Sequence, residues 1–270
     1  MRQLAATPAQ EIVIEIGHHP VLVRSDNPEF LEMIERRYSG FLSPQAHPMC
    51  EFDVELVAPG RIGEQEDIAV RFEAGRWRIE RNDLRAWWEP ASRRGHIVQS
   101  ANPYALDTTL RILHSLLLAR EGGLLVHAAS AIRSGKAFLF VGVSGAGKTT
   151  ISRLAPADTQ LLTDEISYLR CDGRGYVAYG TPFAGELAKA GENTEAPVAA
   201  VYVLRKGPEN KIERMHDAEA VRTLLRNVLL FANDQGLTAS VFETACRLVS
   251  CVPVYRLTFF PDERVWELIA

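Results

Sequence analysis

The sequence predicts an α/β protein, with a P-loop nucleotide-binding domain over residues 122–270 and a smaller α+β region over residues 1–121. Three observations lead to this. A glycine-rich motif lies between an apolar run and a helix-forming segment, and a second apolar run ends in two acids fifteen residues further on. Before residue 100, short segments alternate between apolar and polar residues, which is typical of half-buried strands.

Composition restricts the class of protein. The chain has 270 residues, of which 47% are hydrophobic and 24% charged, and its net charge is −4. Basic residues occur in pairs rather than tracts, so we expect neither a nucleic-acid nor a membrane partner. Residues 1–10 lack the apolar core of a signal peptide, and no run approaches the length of a membrane span. Four scattered cysteines without a C-x-x-C motif favour a reducing compartment, so we predict a cytoplasmic protein.

The N-terminal region begins with predicted strands at residues 11–16 and 21–24. A helix should follow, because Asn27-Pro28 combines a capping residue with proline at the first helical position. Residues 50–99 predict an antiparallel sheet, with hairpins around Ala74-Gly75 and around residues 89–95. Three tryptophans in this sheet suit either core packing, which we favour, or a stacking platform for a ligand: Trp77, Trp87 and Trp88.

A helix over residues 104–120 carries leucines on one face and ends at Gly122-Gly123, and it suits either region. Residues 124–133 and 137–141 then predict two strands joined by a tight turn, so that the second strand has an antiparallel partner. Further along, strands are predicted at 159–162, 166–170, 176–179, 198–204 and 254–259. Helices are predicted at 149–154, 218–231, 237–249 and 262–269.

The glycine-rich motif fits G-x-x-x-x-G-K-[ST] and directly follows the strand at residues 137–141. Its glycines allow successive N–H groups to turn towards phosphate oxygens, and the following helix directs its positive end at the same place. The lysine adds a cation for the phosphates, and the Thr149 hydroxyl is suited to Mg²⁺. The residues predicted to bind the nucleotide are Gly142, Ser144, Gly145, Ala146, Gly147, Lys148, Thr149 and Thr150.

An apolar strand followed by Asp164-Glu165 is the usual arrangement of a second, acidic nucleotide-site motif. The acid at the end of such a strand faces the phosphates and holds Mg²⁺, so Asp164 is the predicted metal-binding acid, together with Thr149. Glu165 is placed to activate a nucleophile or to tune the metal site. An exposed acidic turn is the alternative interpretation.

His127 lies in the strand predicted to pair with the strand that enters the loop. From spacing alone, a histidine in an apolar run is more often a core residue than a catalytic one. Its position in the hairpin would nevertheless bring it beside the end of the neighbouring strand, close to the phosphates.

Together these residues resemble the HPr kinase/phosphorylase family, which belongs to the phosphoenolpyruvate carboxykinase-like clan. The resemblance covers residues 122–205 and rests on Leu125-Val-His127, the loop from Gly142 to Thr149, and Thr163-Asp-Glu165. It implies a mixed sheet of the carboxykinase-like type, ATP and Mg²⁺ as cofactors, and catalytic roles for His127, Asp164 and Glu165.

The resemblance also has departures. The second acid of the family is typically aspartate, whereas this chain has Glu165, and the first 120 residues do not resemble the N-terminal domain of true HPr kinases. The resemblance therefore implies phosphotransfer to a hydroxyl but not HPr as the acceptor. A serine in a protein or peptide is the expected acceptor, with a small-molecule hydroxyl as an alternative, and homo-oligomerisation stays open.

Three other functions remain open from the sequence. A carboxykinase would share the fold, a plain ATPase would use Asp164 and Glu165 to activate water, and a non-catalytic module would bind the nucleotide as a signal. Nucleotide turnover with and without acceptors separates these functions from a kinase.

Overall fold

The computed structural model describes residues 10–60, 62–63, 66–187 and 190–269. The prediction that residues 1–10 carry no signal peptide lies almost wholly outside these ranges. The described residues form two compact units. The first ends at Leu113 and includes Phe231–Asn233, and the second contains His114–Leu230 and the residues from Asp234 onwards. The division falls inside the helix that the sequence left to either region.

The described part of the first unit contains a seven-stranded sheet in the order β1-β2-β3-β7-β6-β5-β4. Its strands are β1 (Gln10–Ile16), β2 (His19–Ser25), β3 (Cys50–Leu56), β4 (Ala69–Glu73), β5 (Arg76–Arg81), β6 (Leu84–Glu89) and β7 (Arg94–Gln99). Helix α1 (Pro28–Arg37) begins as predicted, because the Asn27 side chain accepts a hydrogen bond from the Phe30 N–H over 2.8 Å. Helix α2 (Pro103–Glu121) follows the sheet.

The prediction of an antiparallel sheet over residues 50–99 was wrong for β3, which runs parallel to both β2 and β7. The reason is the connection: α1 returns the chain after β2, so the next strand can run in the same direction. Strands β4 to β7 are antiparallel as predicted. Trp77 and Trp88 are each only 3% exposed, which confirms core packing for these two side chains.

The described part of the second unit contains an eight-stranded sheet in which β8 is central. Its strands are β8 (Leu124–Arg133), β9 (Lys136–Val141), β10 (Gln160–Thr163), β11 (Ile166–Cys171), β12 (Tyr176–Tyr179), β13 (Glu195–Lys206), β14 (Lys211–Arg214) and β15 (Val254–Phe259). Its helices are α3 (Lys148–Arg153), α4 (Asp217–Leu225) and α5 (Gln235–Cys251), with 3₁₀ turns at Ser39–Phe41 in the first unit and Glu263–Glu267 in the second.

Strand β8 is flanked by β9 along one edge and by β10 and β11 along the other. Strands β9 and β10 each run antiparallel to β8, so they run in the same direction as one another. This confirms the predicted hairpin and the common direction of the two strands, but β8 lies between them. On its far side β9 pairs in parallel with β13, which pairs in parallel with β15.

Two further predictions needed correction, and one strand was missed. The helix predicted over 218–231 ends at Leu225, because residues 227–229 pair with β8 through the His127 and Leu229 N–H groups. The last predicted helix is a short 3₁₀ turn, Glu263–Glu267. Strand β14 was not predicted, since its four residues are all polar except Ile212.

Candidate nucleotide and phosphotransfer site

The site is a pocket of about 390 Å³ in the second unit, at the end of β9. Strand β9, a loop of residues 142–147 and helix α3 follow one another in the order that the motif requires. The pocket is lined by His127, Ser144, Gly145, Gly147, Lys148, Thr149, Thr150, Asp164, Glu165, Glu186 and Lys206.

The loop needs glycine at two places for steric reasons. Gly147 has φ = 113°, and a Cβ there would lie 2.5 Å from Cζ of Phe259, a ring that is 1% exposed. A Cβ on Gly142 would lie 2.6 Å from Cβ of Ala146. Because neither neighbour has room to move, the loop can keep this course only with glycine at both positions.

Lys148 is held inside the pocket and is 9% exposed. Its Nζ donates a hydrogen bond to the carbonyl oxygen of Gly142 over 2.9 Å, which directs the ammonium back across the loop. Burial lowers the pKa of Lys148 below its usual value, while the nearby carboxylates of Glu165 and Glu186 act in the opposite direction. The Lys148 ammonium is therefore a poorly hydrated cation near two carboxylates, and it can bind an anion in the pocket.

Thr149 is engaged by a residue that the sequence did not indicate. Its Oγ1 donates a hydrogen bond to Oε2 of Glu186 over 2.9 Å. Glu186 lies in the loop that follows β12, and its side chain lines the pocket. A hydroxyl and a carboxylate are therefore adjacent at the start of α3, and both are hard oxygen donors of the kind that Mg²⁺ prefers.

Asp164 fixes the same loop from the other side. It is 3% exposed, and its two carboxylate oxygens accept the N–H groups of Gly185 and Leu187, each over 2.8 Å. The turn that presents it is shaped by Thr163, whose Oγ1 accepts the N–H groups of Glu165 and Ile166 over 3.1 Å. Each carboxylate oxygen still has a lone pair to offer, so Asp164 keeps acceptor capacity towards the pocket.

Asp164 and Glu165 interrupt what is otherwise one continuous pairing along β8. Thr163 pairs with Ser130 before the interruption, and Ile166 pairs with His127 after it, so the register is unchanged across the two acids. The acids therefore form a two-residue break in the pairing opposite the middle of β8, and the register shift in this pairing lies before them, between Leu161 and Thr163. Both acids line the pocket.

His127 lies where the predicted hairpin places it. The last pair between β8 and β9 joins Ala128 to Val141, so His127 stands beside Gly142, the first residue of the loop. Its backbone N–H donates to the carbonyl of Asn227 over 2.7 Å, and its half-buried side chain lines the pocket. The structure thus brings His127 to the same pocket as Lys148 and Glu165.

Most of the predicted site residues share this pocket, but two do not line it. Gly142 contributes its carbonyl to Lys148, and Ala146 packs against the hydrophobic core below the loop. Glu186 and Lys206 were missed. Lys206 ends β13, and its only sequence signal is its position after a long apolar strand.

The chemistry of the pocket suits a polyanion with a divalent cation. Two lysines supply positive charge, while Asp164, Glu165, Glu186 and Thr149 supply hard oxygen donors. Within the described ranges, no three His, Cys, Asp or Glu side chains are clustered closely enough to hold a metal by themselves. A metal there would share its coordination with the Thr149 hydroxyl and with phosphate oxygens. No helix in the described ranges is long and apolar enough to cross a membrane.

Comparison with known proteins gives similar solved structures and a family model. The HPr(Ser) kinase/phosphatase from Coxiella burnetii is 14% identical to this chain, with a TM-score of 0.30, and the match covers 54% of this chain and 85% of that one. Similarity at this level carries no argument about fold or activity. A search of curated proteins finds no match.

A family model matches residues 105–270, and it is described as SynChlorMet cassette protein ScmC. This description does not name a kinase family. Because this match covers more than half of the chain, the chain belongs to the ScmC family of SynChlorMet cassette proteins.

Proposed function

We propose that the chain is an ATP-dependent phosphotransferase that moves the γ-phosphate of ATP to a hydroxyl, that of a serine in a protein or peptide. The observation that supports this most is the meeting of three sequence motifs in one pocket. The pocket of 390 Å³ is lined by residues from three neighbouring parts of the sheet. These are Lys148 in the segment after β9, Asp164 and Glu165 after β10, and His127 on β8.

In this proposal the loop and Lys148 hold the triphosphate. The buried ammonium neutralises β- and γ-phosphate charge, and Lys206 adds a second cation from the β13 side. Because phosphoryl transfer depends mainly on positioning and electrostatic stabilisation, these contacts would supply much of the catalysis.

Mg²⁺ fits the residues that line the pocket. Thr149, Glu186 and Asp164 would hold it, and when bound it would neutralise charge on the phosphates and the leaving group. The 2.9 Å hydrogen bond between Thr149 and Glu186 shows that these two donors already face one another.

The acceptor hydroxyl would lose its proton to Glu165, with His127 orienting the carboxylate or relaying the proton. The acceptor oxygen forms a bond to the γ-phosphorus, the bond from that phosphorus to the bridging oxygen breaks, and ADP leaves with the electron pair. Asp164 is held by the Gly185 and Leu187 amides and would position the loop that carries Glu186.

The test is acceptor-dependent turnover. The family description names a cassette, so the peptides and proteins encoded beside the gene are the first acceptors to incubate with the chain, Mg²⁺ and ATP labelled in the γ-phosphate. We expect label in an acceptor serine, no label in its serine-to-alanine version, and none with Lys148→Ala. Lys136→Ala is the matched control, because Lys136 is exposed at the other end of β9.

Three results would contradict the proposal. Release of free phosphate that no acceptor changes would identify an ATPase. Binding of ATP without turnover under any of these conditions would identify a nucleotide-sensing module. Turnover that requires oxaloacetate would identify a carboxykinase.

A further inference from the structure

A second cleft, of about 440 Å³, lies in the same unit, and Pro208 in its wall is two residues beyond Lys206 of the first pocket. It lies between the loop that follows β13 and the segment that follows β15, and its apolar walls are Pro208, Phe260 and Leu268. Phe260 is 48% exposed, although the preceding residue, Phe259, is 1% exposed. A half-exposed aromatic ring at the mouth of a cleft is a suitable surface for a planar ligand.

The two walls of this cleft are tied together by hydrogen bonds. Gly207 donates its N–H to the Phe259 carbonyl over 3.1 Å, and Phe260 donates its N–H to Oδ1 of Asn210 over 2.9 Å. Asn210 also donates to Asp262 over 3.3 Å. These backbone and side-chain hydrogen bonds fix the two walls of the cleft relative to one another.

The cleft is also attached directly to the glycine-rich loop. The Phe259 ring occupies the space beside Gly147, so the residue that leads into the cleft touches the loop. Trp266, in the turn that borders the cleft, donates its Nε1–H to the Ile151 carbonyl of α3 over 3.0 Å. The glycine-rich loop and α3 therefore both contact the segment that forms one wall of the cleft.

The order of strands places the acids and the cleft on opposite sides of β9. The acids of the pocket and His127 lie on the β8 and β10 side of β9, which is where the proposed function places the γ-phosphate. The opposite side of β9 is occupied by β13 and then β15. Strands β13 and β15 thus lie away from the acids, and the cleft is lined by residues that follow these two strands.

We propose that the cleft between residues 207–210 and 260–268 binds the nucleobase and ribose of the nucleoside triphosphate, with the base stacked on Phe260. This rests on the proposed function, because it requires the triphosphate to lie on the glycine-rich loop. The cleft volume is within the range of small-molecule sites, and base stacking on an aromatic side chain contributes measurably to affinity.

The experiment compares ATP with inorganic tripolyphosphate, which has the phosphates but no base, by calorimetry on the full chain. We expect wild type to bind ATP more tightly than tripolyphosphate. In Phe260→Ala the ratio of the two affinities should fall about fivefold or more, as expected for loss of one base–aromatic stack. Phe260→Tyr should retain the ratio. Phe242→Ala is the matched control, since Phe242 is 53% exposed on α5, outside both pockets.

Location is tested separately with 8-azido-ATP, which should label residues within 207–210 or 260–268. Equal affinity of wild type for ATP and tripolyphosphate, an equal loss of both in Phe260→Ala, or labelling confined to other segments would overturn the inference while leaving the phosphate site intact. If wild type binds neither ATP nor tripolyphosphate, the proposed function fails and the inference fails with it.

Discussion

Oγ1 of Thr149 donates a hydrogen bond to Oε2 of Glu186 over 2.9 Å, and this links the start of α3 to a loop 37 residues further along the chain. The contact places a carboxylate beside the threonine that the sequence predicts as a metal-binding residue. It gives Glu186 a role that no motif assigned.

Glu186→Gln keeps the size of the side chain and removes its charge. We expect Mg²⁺-dependent turnover to fall at least tenfold, because Mg²⁺ prefers an anionic oxygen, and this is about 1.4 kcal/mol. Binding of ATP without metal should be retained or strengthened, since a negative charge beside the phosphates is removed. Turnover measured at varied Mg²⁺ checks the first effect, and calorimetry of ATP binding without Mg²⁺ checks the second. Glu192→Gln is an exposed control outside the pocket. Normal turnover at low Mg²⁺ would show that Glu186 does not bind the metal.

Asp164→Asn should affect the loop as well as the metal site. An amide has a single acceptor oxygen, so one of the two N–H groups of Gly185 and Leu187 would face another donor. We expect the free energy of unfolding to fall by about 1–3 kcal/mol, and metal-dependent turnover to collapse while metal-free nucleotide binding survives. Hydrogen exchange at the Gly185 and Leu187 amides measures the first effect. Unchanged protection of both amides would contradict the role of Asp164 in holding the loop, and normal turnover at low Mg²⁺ would contradict its role at the metal.

His127→Ala and His127→Gln test whether this histidine belongs to the chemistry or to the core. We expect ATP affinity to stay within a few fold, while phosphotransfer falls by about 10² or more, the usual scale for an acid–base group. The measurement is acceptor phosphorylation per folded, ATP-binding molecule, with the exposed His216→Ala as control. A lowered melting temperature with full activity would assign His127 to the core.

The pH dependence of ATP binding follows from Lys148. Burial lowers the pKa of this ammonium in the free protein, and a bound triphosphate would raise the pKa again by adding negative charge beside it. Binding should therefore take up a proton as the pH rises past the free-protein pKa, and ATP affinity should fall with rising pH there. Calorimetry in two buffers of different ionisation enthalpy detects this uptake, which should be absent in Lys148→Met. The same alkaline loss of affinity in that variant would assign it to another group.

The parts of the site that the sequence predicted are those encoded by local pattern. The apolar run of β9, the glycines after it and the acids after β10 are each contiguous, so their spacing carries the information. The position of His127 also followed, because a tight turn fixes which residues of a hairpin face one another.

The parts that were missed depend on contacts between distant segments. Glu186 contacts Thr149 from a loop whose Gly185 and Leu187 amides are bound by Asp164. These contacts join segments that are distant in the sequence, so no local pattern predicts the position of Glu186. The early end of α4 has a similar origin, because residues 227–229 pair with β8 and this contact overrode helix propensity. The parallel direction of β3 depends on the return of the chain through α1, which an alternating pattern does not record.

The central claim is that the pocket at the end of β9 holds the phosphates of a nucleoside triphosphate, and ATP binding by Lys148→Ala tests it most directly. Calorimetry should show that wild type and the exposed control Lys136→Ala bind ATP with Mg²⁺ equally well. Lys148→Ala should bind at least tenfold more weakly, about 1.4 kcal/mol for a lost charge-assisted contact, while keeping its circular dichroism spectrum. Equal ATP affinity in wild type and Lys148→Ala would contradict the claim.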